Sequence, residues 1–345
     1  MLTSLFDYHL PKSRIAQKSV QPRDASKLMV LNRAAETIKE TRFREIGAFL
    51  RAGDLLVVND TKVFRARLLG KLVTGGQVEL FLLHARSSEA KTSLWEALGK
   101  PGKKLLVGTE IFGKGWTARV VEKGERGMVV LAFDRSAKAV FALLAKEGHI
   151  PVPPYVLHEP KKEADYQTVF ARSVGSVAAP TAGFHFTKLL IASLKKKGIR
   201  FVPVTLHVGI GTFQPVVVDD LSEHIMHAEY AEIPTTTLAA IRQTKKAGGR
   251  VIVVGTTALR ALEGLLSEET LSSRKTVRGW VSIFITPGYL FKIANGIITN
   301  FHLPRSTLLV LVSAFASRDF ILRAYRRAVR KKFRFFSFGD AMVIL

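Results

Sequence analysis

The chain has 345 residues, 52 Lys and Arg against 28 Asp and Glu, a formal net charge of +24, and no cysteine. Its length exceeds what one hydrophobic core usually organises, so two domains are expected, and the missing cysteine excludes disulfide frameworks, thiolate zinc sites, iron–sulfur clusters and Cys nucleophiles. So large a positive surplus concentrates polyanions and makes nucleic acid the leading partner, although a generally basic proteome would yield the same composition.

In chain order, the amino-terminal Met1-Leu2-Thr3-Ser4-Leu5-Phe6-Asp7 lacks the basic and apolar regions of a secretory signal. The longest apolar run, Thr307–Ala316, is too short to span a bilayer, so a soluble cytoplasmic protein without membrane association is expected. The first ~60 residues read as α/β in character, with a buried strand at 55–58 closing before Asn59-Asp60-Thr61. Short alternating runs at 77–82, 116–121 and 128–133, separated by glycine, predict a small antiparallel barrel or sandwich. A helix at 137–146 ends at Gly148, and the prolines at 151, 153 and 154 force extended chain. Longer alternation follows, with helices at 188–197 and 238–247 and strands at 200–207 and 250–254. The expected architecture is α/β: a discontinuous main domain over 1–64 and 149–345 carrying the active site, with a β-barrel inserted at 65–148.

Several segments have the composition of a site. A buried strand runs through Gly255-Thr256-Thr257 into a helix that includes Arg260, a turn that aims backbone N–H groups at an anion but is also ordinary α/β architecture. His207 ends a strand before Gly209, Gly211, Thr212 and Phe213, where glycine admits a ligand close to the backbone. His224, His227 and Glu229 follow at a spacing that serves either a metal or proton transfer. Asn300 and His302 precede Pro304, with Ser306 or Thr307 placed to cap the apolar helix 308–316, and His185 ends a run of small residues before another helix. These His-bearing loops lie at the ends of predicted strands, where open α/β sheets bind ligands. Near the carboxyl end, Arg323, Arg326, Arg327, Arg330, Lys331 and Lys332 read as a phosphate-tracking helix face or as a solvated one, with Phe320, Ile321, Ala324, Tyr325 and Ala328 available for burial.

Taken together, the segments Phe6-Asp7-Tyr8-His9-Leu10-Pro11, Val58-Asn59-Asp60-Thr61-Lys62-Val63, Ala179-Pro180-Thr181-Ala182-Gly183-Phe184-His185-Phe186, Leu206-His207-Val208-Gly209-Ile210-Gly211-Thr212-Phe213, Thr299-Asn300-Phe301-His302-Leu303-Pro304 and Phe338-Gly339-Asp340-Ala341 resemble the S-adenosylmethionine:tRNA ribosyltransferase-isomerases of queuosine biosynthesis, the QueA family. The resemblance runs nearly end to end. Ala228, and Ala258-Leu259 after the two threonines, depart from the family's usual Ser and Ser-Val.

The resemblance implies an enzyme that consumes S-adenosylmethionine as a ribose donor, with no metal and no further cofactor. The acceptor is the 7-aminomethyl-7-deazaguanine (preQ1) base at the wobble position of tRNA, and the products are epoxyqueuosine-tRNA, adenine and methionine. Such a reaction needs a base, an acid and a neutral amine. His185, His207, His227 and His302 are the expected proton carriers, with Glu229 orienting His227 or relaying a proton. Asn59, Asp60, Thr61, Gly209, Thr212 and Asn300 are expected to bind substrate, Gly255, Thr256 and Thr257 to hold the methionine carboxylate, and Arg260 to reach that carboxylate or a phosphate. Phe213, Tyr8 and Tyr289 are the candidates for stacking on a base. A monomer is expected. An RNA methyltransferase and a non-catalytic tRNA-binding protein are the rival readings.

Overall fold

The computed structural model describes residues 1–345 apart from positions 126, 153–154, 158–159, 161, 210–215 and 217. The strands are β1 (Lys27–Asn32), β2 (Thr37–Arg42), β3 (Leu55–Asn59), β4 (Thr61–Val63), β5 (Arg67–Leu72), β6 (Gln77–Ser88), β7 (Ser93–Lys100), β8 (Glu110–Gly113), β9 (Trp116–Lys123), β10 (Met128–Phe133), β11 (Ser173–Ser176), β12 (Arg200–Leu206), β13 (Glu229–Ile233), β14 (Val251–Val254), β15 (Val277–Val281), β16 (Gly296–Asn300) and β17 (Ala341–Ile344). The helices are α1 (Ala137–Glu147), α2 (Lys188–Lys196), α3 (Thr235–Lys246), α4 (Thr256–Leu265), α5 (Glu268–Leu271), α6 (Thr307–Ala316) and α7 (Arg318–Arg330). The chain divides into two compact units, one of Met1–Lys62, Ala164–Ser173 and Ala179–Leu345, the other of Val63–Glu163 and Val174–Ala178. The α/β class with a small antiparallel barrel is as expected from the sequence.

In the smaller unit, β10-β7-β6-β5-β8-β9 close into a barrel. Period-two alternation sends Trp95 and Ala97 of β7 and Ala118 and Val120 of β9 inward, each essentially inaccessible. Closure leaves no open edge on a unit too small to cover one with helices.

The larger unit is built on a nine-stranded sheet of order β15-β13-β12-β3-β14-β16-β17-β1-β2. β3, β14, β16 and β17 are buried at every residue, as apolar runs must be when both faces of a sheet are covered. One face packs under α2 and the 3-10 turn Phe43–Ala48, bringing Leu56, Val58, Ile252 and Ile298 against Phe186 and Leu194. β12, β3, β14 and β16 are mutually parallel in that spatial order, so their carboxyl ends share one edge of the sheet. β17 runs antiparallel to β16 and parallel to β1, which brings the starts of β17 and β1 to that same edge. The crossover from β3 goes to β12 on one side, and β14 is later added on the other, so β3 lies at a topological switch point.

Two expectations need correction. The first sixty residues contain three strands, four short 3-10 turns and no α-helix. The basic carboxyl-terminal helix stops at Arg330, where Lys332 takes a left-handed φ of 56° and Phe333 N–H donates to Ala328 O at 2.9 Å, a 6→1 helix-ending bond.

Candidate active site

The carboxyl edge of the parallel strands is held by one side chain. Asn59, 2% exposed at the end of β3, donates through Nδ2 to Leu206 O at 3.0 Å and Thr257 Oγ1 at 3.1 Å. Its Oδ1 accepts from Leu206 N and Thr61 N, each at 3.1 Å. The end of β12 and the first turn of α4 are thereby fixed to β3. Two residues on, Thr61 Oγ1 and His207 Nδ1 are 2.8 Å apart. Between them in the chain, Asp60 accepts from Thr205 Oγ1 at 2.7 Å.

Burial pushes the His207 imidazole below its ordinary value of 6.5, so it is the neutral form that faces this edge near neutral pH. Burial acts oppositely on the Asp60 carboxyl and raises it, against hydrogen bonds from Thr205 and Ser173 and the charge of Arg172. A base and an acid displaced in these directions stand at the ends of neighbouring strands on one sheet edge, which suits proton transfer in both senses.

Gly255 joins β14 to α4 with a φ of 92°, a conformation other residues reach only with strain, and its N–H donates to Ile298 O at 2.8 Å. No side chain caps α4. Its first-turn N–H groups therefore lie at this edge with the positive end of the helix dipole, beside Thr257 Oγ1, which accepts from Asn59 Nδ2.

Glu229 and Arg260 do something other than expected. Both are 4% exposed. Glu229 Oε2 is bound by Arg260 Nη1, while Oε1 accepts the N–H of Gly209 at 3.0 Å. Arg260 also donates to Ile283 O at 3.3 Å and Val281 O at 3.4 Å. Arg260 thus clamps β13, α4 and the segment after β15, and Glu229 ties the chain just past β12 to this ion pair. His227 itself is exposed, and neighbouring His224 packs edge-on against Phe284 at 5.2 Å. Among the described residues no group of three His, Asp or Glu is arranged to hold a metal ion.

His185 and His302 are buried, at 4% and 5% exposure. His302 Nε2 lies 3.0 Å from Thr299 Oγ1, its N–H donates to Tyr325 OH at 3.1 Å, and its carbonyl accepts from Tyr8 OH at 2.5 Å. Tyr8, stacked edge-on against Tyr325 at 5.2 Å, is consequently a core residue and presents no face to a base. Asn300 donates to Phe336 O at 3.0 Å, tying the end of β16 to the turn before β17. His185 Nδ1 lies 2.8 Å from Ser26 Oγ, its Nε2 has no hydrogen-bond partner among the described residues, and the residue lines a small cavity with Ser19, Arg23, Ser26 and Phe338. Tyr289 lies at the opposite edge of the sheet. Its hydroxyl donates to Glu263 Oε2 at 3.2 Å, beside the N–H groups of Lys292, Ile293 and Ala294 that lead into β16, so it too stands away from the site. Thr212 and Phe213 fall outside the described residues.

On α7, Arg323 and Arg327 pair with Glu36 and Glu40 of the β1–β2 hairpin at 2.7 and 2.6 Å. Arg326, Arg330, Lys331 and Lys332 are exposed, and Lys27, which starts β1, donates to Lys331 O at 2.8 Å. The helix therefore delivers its cationic end to the edge that carries His207. Arg172 and Ser173, which the sequence did not single out, also reach this edge: both N–H groups donate to Asp60 O, at 2.7 and 3.1 Å. Thr205 lies on the same face of β12 as His207 by strand alternation.

Burial drives both His185 and His302 down to about 3, with the charges of Arg334 and Arg23 adding to the effect at His185. Each ring is neutral when folded and becomes charged on unfolding below about 6.5, so the unfolded chain binds the extra protons between about 6.5 and about 3. Stability is then full above that window and falls with decreasing pH through it, by up to ~1.4 kcal/mol per pH unit for each ring. Melting temperature followed against pH should show this decline, and His302→Asn should flatten it; parallel curves for wild type and variant would contradict the assignment.

The queuosine biosynthesis protein family matches residues 3–344. The S-adenosylmethionine:tRNA ribosyltransferase-isomerase of Thermotoga maritima is 46% identical over 346 residues, covering 100% of both chains. The enzyme of that name from Halothermothrix orenii is 47% identical over 99% of this chain and 98% of its own. A crystal structure of an S-adenosylmethionine tRNA ribosyltransferase from Thermotoga maritima aligns over 99% of this chain and 100% of that one, with a TM-score of 0.57 and 38% identity. With agreement over its whole length, the chain belongs to the queuosine biosynthesis protein family and is an enzyme, a ribosyltransferase-isomerase.

Proposed function

We propose that this enzyme moves the ribosyl group of S-adenosylmethionine onto the aminomethyl group of 7-aminomethyl-7-deazaguanine at the wobble position of tRNA, isomerising it to give epoxyqueuosine-tRNA, adenine and methionine. The observation that carries this reading is the end-to-end match to relatives named for the same chemistry. S-adenosylmethionine is consumed, and the chemistry asks for no metal or added cofactor. The same reading makes it a cytoplasmic enzyme that meets its tRNA there and acts as a monomer.

The sulfonium acidifies the C5′ protons of the ribose and makes methionine a good leaving group. His207 is the base in this account. The Thr61 hydroxyl lies 3.4 Å from Ser173 O; with its own proton directed there, it accepts from His207 Nδ1–H and leaves Nε2 with the free lone pair. Nε2 takes the C5′ proton. Asp60, held above the ordinary carboxylate range by burial, delivers a proton to the departing adenine. Loss of the C5′ proton breaks C4′–O4′, and O4′ expels adenine from C1′ to leave an aldehyde. The acceptor amine adds to C4′ and gives up one proton to solvent, the regenerated C5′ ylide closes on C1′, and O4′ displaces methionine from C5′ to form the epoxide, the C–S pair returning to the thioether sulfur. The first turn of α4 binds the methionine carboxylate through its N–H groups and the Thr256 and Thr257 hydroxyls. Asn59 is a positioning residue, because all four of its polar contacts are internal. His185, His302, Tyr8 and Asn300 maintain the edge, and His227, exposed at its rim, faces solvent and RNA.

Chromatography of the products from modified tRNA should show free adenine and methionine; S-adenosylhomocysteine in their place would mark a methyltransferase. His207→Gln and Asp60→Asn should each lower kcat by roughly 10²- to 10⁴-fold, with the melting temperature nearly unchanged. The wild-type rate should fall on an acid limb lying below 6.5, the direction in which His207 is shifted.

The exposed Arg326, Arg330, Lys331 and Lys332 bind tRNA phosphates. Arg326→Ala with Arg330→Ala should reduce the slope of log affinity against log salt by about 1.5 to 2; an unchanged slope would move the RNA surface elsewhere.

A further inference from the structure

His207 is one end of a row of rings. Its N–H donates to Tyr230 O at 3.0 Å, and the two rings lie nearly parallel, 17° apart, with centroids separated by 6.4 Å. Tyr230 is registered opposite Trp280 on β15, with ring centroids 5.7 Å apart and planes at 71°. Strand side chains alternate between faces. Thr205 and His207, Tyr230 and Glu232, and Trp280 and Arg278 therefore occupy one face of β12, β13 and β15. The other face, bearing Leu206, Ala231 and Val281, is buried against α4. The row runs from the candidate base to the outermost strand of the sheet.

Trp280 is 58% exposed, whereas Trp95 and Trp116, the other two tryptophans, are 0% and 4% exposed. A single exposed apolar residue is ordinary. A large ring that continues a file of aromatics out of a reaction site, with charge beside it, is a different case. Arg278 and Arg172 are exposed; the first lies two residues from Trp280 on the same face, and the second donates its N–H to Asp60 O at 2.7 Å. Glu232 is the acid on this face, opposite Arg278 in register. Cations flanking aromatic faces are what single-stranded RNA requires, because unpaired bases stack on rings while phosphates seek positive charge.

We propose that Tyr230 and Trp280 form a stacking platform for an unpaired tRNA base next to the modified one, holding the loop so that the target base reaches His207. The inference rests on the proposed reaction and adds the residues that present its RNA substrate. Stacking on the indole fixes the neighbouring nucleotide, and Arg278 and Arg172 take the adjoining phosphates. The platform is sequence-tolerant, since every base offers a π face.

The test uses an anticodon hairpin RNA carrying 7-aminomethyl-7-deazaguanine, and the same hairpin with abasic sites flanking that position. Trp280→Ala should raise KM for the intact hairpin roughly 5- to 150-fold, leave KM for S-adenosylmethionine in place, and bind intact and abasic hairpins alike. Trp280→Phe should recover most of the loss. Because only Trp280 is exposed among the tryptophans, hairpin binding without S-adenosylmethionine should quench wild-type indole fluorescence, and Trp280→Phe should abolish that quench. An unchanged hairpin KM in Trp280→Ala overturns the platform. A rise in KM for S-adenosylmethionine alone overturns it too and assigns the ring to adenine. Failure of the wild-type enzyme to release adenine would instead refute the proposed reaction, and the binding and quenching results would still decide the platform.

Discussion

The arrangement of the whole site depends on the carboxamide of Asn59. Three elements distant in sequence meet at the end of β3, and each brings a polar group that would otherwise be buried without a partner. An amide offers two donors and two acceptor positions, and Asn59 uses all of them on Leu206 N and O, Thr61 N and Thr257 Oγ1. Aspartate has the same shape but lacks the donors, and it would set a charge against the Leu206 carbonyl oxygen. With this knot in place, the residues just past it, Asp60, Thr61, His207 and the first turn of α4, are held at one spacing.

Around that point the protein separates structural polarity from reactive polarity. Glu229 and Arg260 form a buried ion pair, and Glu263 gathers three N–H groups and a phenol at the far end of α4; both are fully engaged. Removing either partner of the buried pair would strand a charge in the interior, a loss of roughly 3–5 kcal/mol. His185 and His302 are buried deeply enough to stay neutral, so they hydrogen-bond without answering to ordinary changes in pH. His207 and Asp60 are shifted by burial in the directions that the proposed proton transfers use.

Much of this was legible in the sequence where one physical constraint dominated. The continuous apolar runs of β3 and β14 exist because both faces are covered, and α7 buries Phe320, Ile321, Ala324, Tyr325 and Ala328 on the stripe its period marks out. β2 and β15 carry weaker signals: as edge strands they expose polar or charged residues, and no apolar run announces them. The end-to-end family resemblance named the reaction but left residue roles open. Tyr8 and Tyr289 looked alike as stacking candidates because local sequence does not say which edge of a sheet a residue reaches; one entered the core and the other the opposite edge. Arg260 read as a ligand contact because its acidic partner, Glu229, sits on another strand. Trp280 was passed over for the converse reason: its neighbours Tyr230 and His207 become a row only through strand register.

The central claim is that the edge organised by Asn59 is where S-adenosylmethionine reacts. A crystal structure with S-adenosylmethionine bound tests it most directly. The account predicts the ribose C5′ within about 3.5 Å of His207 Nε2, with the methionine carboxylate on the first turn of α4 and adenine toward Asp60. Ligand density beside His185, or at the edge of the sheet that carries Tyr289, would contradict it.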